Sequence, residues 1–462
     1  MISKTTAAAV LEAALCSGGD FSELYIEDTE SNSLELLDGA VTDAASARKH
    51  GAGVRVFSGT KSAYAYTADT SERALLATAR AAAAAIEGCA AGSAAPFEVR
   101  SYGGAPEQPM ASIGNGRRIE VMKRANAGMR ECSSEITQAT VRLLEVDQRV
   151  TVCNSEGVWA EDRRPRIRLA VQAVATGEGG AQTGFEGPGY SMGFEAFREL
   201  IDPEYWGREA ARTAVTMLHA PECPAGNLPV VIDGGFGGVI FHEACGHSLE
   251  ATAVSKGNSE FCGKLGQRIA ADCVSAVDDG TLAGEWGHIG CDDEGTPSRR
   301  NLLIENGVLR GYLIDRLGGR RMGMEPTGSS RRQGYSYAPT SRMTNTFILP
   351  GSDDPEEMIR STAEGLFAKK MGGGSVNPLT GEFNFAVAEG YWIRGGNILT
   401  PVRGATLVGK GSEILLRIDR VAGKMWMAQG MCGSLSGSVP TNVGQPRIRV
   451  GGITIGGKGG AL

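Results

Sequence analysis

Apolar and polar positions alternate with period two through much of the first 220 residues, which is the mark of half-buried strands. The pattern predicts strands at Leu24–Glu27, Ser33–Leu37 and Gly53–Phe57, with turns at Asp38-Gly39 and Ser58-Gly59. Further strands are expected over residues 137–153 and 165–175, about a turn at Glu156-Gly157. Helical spacing breaks this alternation four times. A first helix ends near Gly18-Gly19. A second is capped by Ser71, runs to about Ile86 and stops at Gly88. A third covers Arg117–Arg130, and a fourth runs from Phe194 to about His219, broken or bent near Pro203.

Pro221-Glu-Cys-Pro-Ala-Gly226 interrupts both periodicities, because its prolines and glycine end a helix and redirect the chain. Two units are therefore expected, 1–220 and 221–462. The second opens with a short apolar strand, Leu228–Ile232, then the Gly-rich turn Asp233-Gly-Gly-Phe-Gly-Gly238, then a helix over Val239–Glu250. A hairpin is predicted over Leu302–Asp315 about Asn306-Gly307, and a helix over Pro355–Ala368. The last hundred residues read mostly as strand and turn, and no internal repeat is evident.

Composition narrows the class. The chain has 462 residues, more than one core comfortably fills, and its 66 glycines favour turns and hairpins over helical bundles. A net charge of -7 argues against nucleic-acid binding, and Arg331-Arg332 and Arg299-Arg300 read as solvated surface or local ion pairs. Ten cysteines without a CxxC pair suggest reduced thiols. The N-terminal stretch reads as an amphipathic helix and not as a signal peptide, and no run reaches the length of a membrane span. A cytoplasmic location is expected.

Of five histidines, His242 and His247 fall together in His242-Glu-Ala-Cys-Gly-His247. Imidazole is the commonest zinc ligand, and a catalytic zinc takes three protein ligands and leaves a position open. A neighbouring carboxylate, Glu243, can take the proton of an attacking water. The spacing is five residues, which on a regular α-helix separates the two rings by roughly 140°. A π-type turn would bring them to one face, so a widened turn is predicted at 242–247, with Gly246 easing it. The third ligand is open among Cys432, Glu250, Cys245 and His288. Cys432 sits in a Gly-rich loop, Glu250 also suits an outer partner of His247, and Cys245 points toward the core.

A family is recognisable in these residues. Phe241-His-Glu-Ala-Cys-Gly-His-Ser-Leu-Glu250, Gln267-Arg-Ile-Ala270, Asp278-Asp-Gly-Thr281, Asp292-Asp-Glu-Gly-Thr-Pro297 and Ile304-Glu-Asn-Gly307 carry it. Met322-Gly-Met324, Arg342-Met-Thr-Asn-Thr346, Gly404-Ala-Thr-Leu407, Met431-Cys-Gly433 and Val443-Gly-Gln-Pro446 continue it. The chain resembles the TldD/PmbA metallopeptidases, also labelled modulators of DNA gyrase, of the TldD type. The resemblance implies one zinc ion held by His242, His247 and Cys432, with Glu243 as the catalytic glutamate. It implies short or unfolded peptides as substrates, and a dimer with a motif-less TldE/PmbA-type subunit or with a second copy. The fold expected is α+β: an N-terminal α/β domain with a mixed sheet, and a β-rich C-terminal metallopeptidase domain carrying the zinc-binding helix. The run Gly433-Ser-Leu-Ser-Gly437 departs from the family, where a lysine and a glutamine are expected.

Other signals carry less. Gly404–Lys410 falls short of a phosphate-binding loop because Gly411 replaces the hydroxyl residue, and no helix is expected to start there. Asp278-Asp279 and Asp292-Asp293-Glu294 read as turn residues. Tyr335, Tyr337, Arg332 and His288 are candidates to steady a developing oxyanion. The alternative function is a binding or regulatory protein whose metal is structural, closed by Glu250 or His288 as a fourth ligand.

Overall fold

The computed structural model describes residues 2–86, 93–178, 180–377 and 380–460. Its strands are longer than the alternation suggests. Phe21–Leu37 and Ala40–Ser58 form one hairpin, and Ile136–Asn154 and Val158–Gly177 form another. Asp38 and Gly39 both have positive φ, 52° and 86°, as a two-residue hairpin turn requires. These hairpins lie side by side in an eight-stranded sheet. The sheet is mixed, because Glu98–Tyr102 runs parallel to Val158–Asp162.

Helices bury one face of this sheet in two patches. Lys4–Leu15 and Glu72–Ala83 pack through Val10, Leu11, Leu75 and Ala79 onto Leu24, Val54 and Val56. Asn115–Cys132 and Pro203–Leu218 cover Val141, Leu143, Leu169 and Val171. Ser71 accepts from Ala74 N, as read, and Asp202 accepts from Glu204 N, a cap that the sequence reading did not single out. The helix expected to begin at Phe194 is split into Ala196–Glu199 and Pro203–Leu218 at the proline. Gly88 lies outside the described residues.

The second sheet has eleven strands and holds the largest apolar cluster. At its centre Gly437–Gly456 pairs with Gly226–Ile232, Asn345–Ile348, Thr406–Lys410 and Ile418–Ser434. Two expectations fail here. The helix over Pro355–Ala368 stops at Arg360, and Glu364–Val376 is a strand. Leu366, Phe367 and Ala368 are buried between Val230–Ile232 and Gly390–Trp392, and that pairing overrides helical propensity. A short helix, Gly411–Leu416, does start after Lys410, but Thr406–Lys410 is a paired strand and not a phosphate-cradling loop. The Asn306-Gly307 turn forms as read, but the hairpin is shorter than expected: only Ile304 and Glu305 pair across it, with Leu309 and Val308.

The segment 221–226 is held in place: Cys223 is buried and its N–H donates to Arg403 O at 2.8 Å. The two sheets are further joined by buried ion pairs. Arg164 meets Asp293 at 2.7 Å, Arg55 meets Glu294 at 2.6 Å, and Arg332 meets Glu23 at 2.6 Å. Arg331 and Arg332 are therefore buried, contrary to the surface expectation, whereas Arg299 and Arg300 are exposed. Asp292 does serve its turn, accepting from Glu294 N and Thr296 N, but its neighbours face the N-terminal sheet. The nine described cysteines are free, and among the described residues no helix is long and apolar enough to cross a membrane.

Candidate metal centre

The apolar strand Gly226–Ile232 enters the tight turn at Gly235–Gly238, and a composite helix leaves it. Close approach explains the glycines. A Cβ at Gly238 would stand 2.6 Å from Gly444 O, and one at Gly237 2.9 Å from Ile232. The helix starts as α over Val239–Phe241, widens to a π turn over His242–Gly246, and tightens to 3₁₀ over His247–Leu249. The widened turn expected from the five-residue spacing is present. Its effect is to set the two imidazoles 5.1 Å apart between ring centroids on one face. Gly246 has ordinary helical torsions, φ -53° and ψ -53°. Its role is space and not torsional freedom, because a Cβ there would sit 2.2 Å from Met343 Sδ.

Cys432 reaches the rings from the strand Ile418–Ser434, two residues before a hairpin turn, and not from a loop. Its register partner is Val439. Sγ lies 3.3 Å from His242 Nε2 and 3.2 Å from His247 Nε2. The ligand atoms of His242, His247 and Cys432 all lie within 4.8 Å of one another, close enough to hold one metal ion. A tetrahedral ion with bonds of about 2.0–2.3 Å would separate its N and S ligands by roughly 3.5 Å, so this donor set fits such an ion.

The electrostatics point the same way. Burial raises the Cys432 thiol, but the imidazoles of His242 and His247 outweigh it and hold the group at about 3. Burial lowers His247, yet Glu250 and Cys432 together bring it well above its ordinary value. Sulfur is thereby kept in the thiolate form that ligates metals.

Around these three residues the other candidates separate. Glu250 Oε1 stands 3.2 Å from His247 Nδ1, on the opposite side of the ring from Cys432, and so orients the imidazole from behind. Glu243, with 27% of its side chain exposed, places Oε2 3.8 Å from His247 Nε2, at the open side of the cluster. Cys245 is fully buried in the apolar core, and burial raises its thiol. His288 turns Nδ1 to Gly280 O at 2.8 Å and takes no part in the cluster. Tyr335 packs against Tyr66 and donates its N–H to Glu27, and Arg332 is engaged with Glu23. Tyr337 N donates to Gly334 O in a turn.

Two residues beside the site lie in the run Arg342-Met-Thr-Asn-Thr346 that carried the family resemblance, but local pattern gave them no role. Arg342, fully buried, donates to Cys432 O, to Ser436 Oγ at 3.0 Å and to Gly437 O at 2.7 Å. Met343 fills the space left at Gly246. The one available signal was an arginine inside an otherwise apolar and hydroxyl-bearing run, Ser341–Leu349.

Comparison with known proteins places the chain in a family. Three profiles of one family match: the PmbA/TldA metallopeptidase domain 1 over residues 22–86, the central domain over 109–218 and the C-terminal domain over 225–457. The metalloprotease TldD homolog of Haemophilus influenzae is 35% identical over 454 residues, covering 95% of this chain and 93% of that one. A metalloprotease of Methanothermobacter thermautotrophicus is 30% identical over 444 residues, 95% and 96% of the two chains. Among solved structures, a modulator of DNA gyrase from Thermotoga maritima superposes with a TM-score of 0.80 at 21% identity, over 98% of this chain and all of that one. TldE from Thermococcus kodakarensis gives 0.77 at 16% identity, over 97% and 99%. A clustered pair of histidines with a convergent thiolate, on an α+β frame of two sheets, is a group that could hold one metal ion. This chain belongs to the PmbA/TldD metallopeptidase family.

Proposed function

We propose that the protein is a zinc-dependent peptidase that hydrolyses short or unfolded peptides. The observation that carries this reading is the convergence of two Nε2 atoms and one Sγ within 4.8 Å beside a partly exposed glutamate. His242, His247 and Cys432 hold the ion, and the mixed N and S donor set favours zinc. When bound there, zinc polarises the scissile carbonyl and lowers the pKa of water. Glu243 takes the proton from the attacking water and delivers it to the leaving amine. Glu250 keeps Nδ1 of His247 engaged, so that Nε2 faces the centre. Neither Glu250 nor His288 stands where a fourth ligand would, which favours an open catalytic site over the closed structural one.

In this reading residues 1–220 form the N-terminal domain and 221–462 the catalytic domain. The enzyme acts in the cytoplasm as a dimer, with a motif-less relative or with itself. The similarity in fold to TldE and the free cysteines support these assignments.

The test is Glu243→Ala in the purified full chain. Zinc content measured by elemental analysis should stay at one per chain, while cleavage of an unfolded peptide is lost. Cleavage that survives both the substitution and a chelator overturns the mechanism.

A further inference from the structure

Asp278 and Asp279 read as turn residues, and only the second of them serves a turn. Asp279 accepts from Thr281 N at 2.9 Å. Asp278 lies in the strand Ala276–Asp279 and is buried, pointing to the other face. Its cross-strand partner is Thr346, and Thr344 is two residues earlier on the same face. The carboxylate accepts from Thr344 N, Thr344 Oγ1 and Thr346 Oγ1, each at 2.7 Å. Arg331, also buried, donates Nη1 to Met343 O at 2.7 Å. The peptide group joining Met343 to Thr344 is therefore held at both poles, its carbonyl by a guanidinium and its N–H by a carboxylate.

Both charges are held there against desolvation. Burial pushes the Asp278 carboxyl up to about 6, while Thr344, Thr346 and Arg331 draw it back. Burial also brings Arg331 down to about 10. Neutral side chains would satisfy the same peptide group at a smaller desolvation cost, but hydrogen bonds to ionised groups are shorter and about twice as strong. The segment they hold has a particular place. Consecutive side chains leave an extended chain on opposite sides. Arg342 goes to the strand of Cys432, donating to Cys432 O and Gly437 O. Met343 goes to the π turn, where its Sδ takes the space that a Cβ on Gly246 would need. One stretch of three residues thus braces the thiolate and the imidazoles together.

We propose that Asp278 and Arg331 are positioning residues, which set the separation between the Cys432 thiolate and the two imidazoles by clamping the segment Arg342–Thr344. The inference rests on the metal-centre reading above and concerns how that centre is kept in register. It also gives a role to the runs Asp278–Thr281 and Arg342–Thr346, which the metal chemistry alone leaves unused.

The experiment measures the zinc affinity of the full chain by competition with a chelator, in wild type, Asp278→Asn and Thr344→Val. Asp278→Asn keeps the shape and removes the charge. Thr344→Val removes a single donor to it, and decides the matter if Asp278→Asn does not fold. Asp202→Ala, which deletes a helix cap in the N-terminal unit, controls for lost stability alone. Affinity should fall by about 10–100-fold in Asp278→Asn. It should fall less in Thr344→Val and stay at the wild-type value in Asp202→Ala. With cobalt(II) loaded in place of zinc, the thiolate-to-metal absorption should shift in Asp278→Asn and not in Asp202→Ala. In a Met343→Ala background the loss should shrink, because Met343 carries part of the brace. If both variants unfold earlier yet keep wild-type affinity and an unshifted cobalt spectrum, the clamp is wrong and the metal reading stands. A wild-type chain that takes up neither zinc nor cobalt overturns the metal reading, and the clamp with it.

Discussion

Arg342 grips Cys432 by its backbone: the buried guanidinium donates to the Cys432 carbonyl and, through its other nitrogen, to Ser436 and Gly437 across the hairpin turn. The sulfur therefore points at the imidazoles from a strand end that is fixed from behind. Arg342→Met should leave those acceptors buried and unpaired, at a cost of about 2–4 kcal/mol. Metal affinity should fall with it. Thermal unfolding and chelator competition on the same samples check both. Arg342→Lys should recover part of the loss, because an ammonium cannot span three acceptors as a planar fork does.

Gly246 and Met343 should behave as a coupled pair. Gly246→Ala puts a methyl 2.2 Å from the Met343 sulfur in a backbone conformation that alanine tolerates. The expected cost is about 1–3 kcal/mol of overpacking. Met343→Ala in the same chain should relieve part of it, and a double-mutant cycle by denaturant unfolding measures the coupling.

Glu250 is expected to act on the metal through His247. Glu250→Ala should lower zinc affinity by about 10–100-fold, with less effect on the unfolding midpoint of the metal-free protein. Glu250→Gln, which retains an acceptor for Nδ1–H, should fall between. An unchanged affinity in competition with a chelator would remove Glu250 from the site.

Asp315 should make stability fall as pH rises. Burial first, then the neighbouring Glu294, brings its carboxyl up to about 6, while Arg55 and the Gly318 N–H it caps work the other way. Between about pH 4 and 6 the folded chain then binds more protons than the unfolded one, so this group's contribution is intact below that window and lost above it. Asp315→Asn can keep the helix cap and loses the charge. Relative to wild type it should gain roughly 1–2 kcal/mol between pH 4.5 and 7, read from urea unfolding at the two values.

The sequence made the elements legible wherever local chemistry dictates them. Alternation located the long hairpins, Asp38-Gly39 and Asn306-Gly307 located turns, and Ser71 located a helix start. The five-residue histidine spacing was enough to infer a π turn, because no regular helix brings the rings together. Non-local pairing decided the rest. Glu364–Ala368 looks helical until its buried strand neighbours are known, and Cys432 looks like loop until Val439 is opposite it. Arg331 and Arg332 looked like surface charge or local ion pairs, and Arg342 was noted only as part of a family run, because their buried partners lie outside any local pattern. Local pattern carries no trace of such partners.

The donor atoms come from opposite ends of the second sheet's sequence, with Cys432 185 residues beyond His247. Its strand is held by Gly437–Gly456, the strand to which four others attach. A growing polypeptide therefore carries both imidazoles long before it carries the thiolate, and the three-residue cluster is complete only when the last large strand zips in. Synthesis order thus delays assembly of the donor set until the chain is nearly finished.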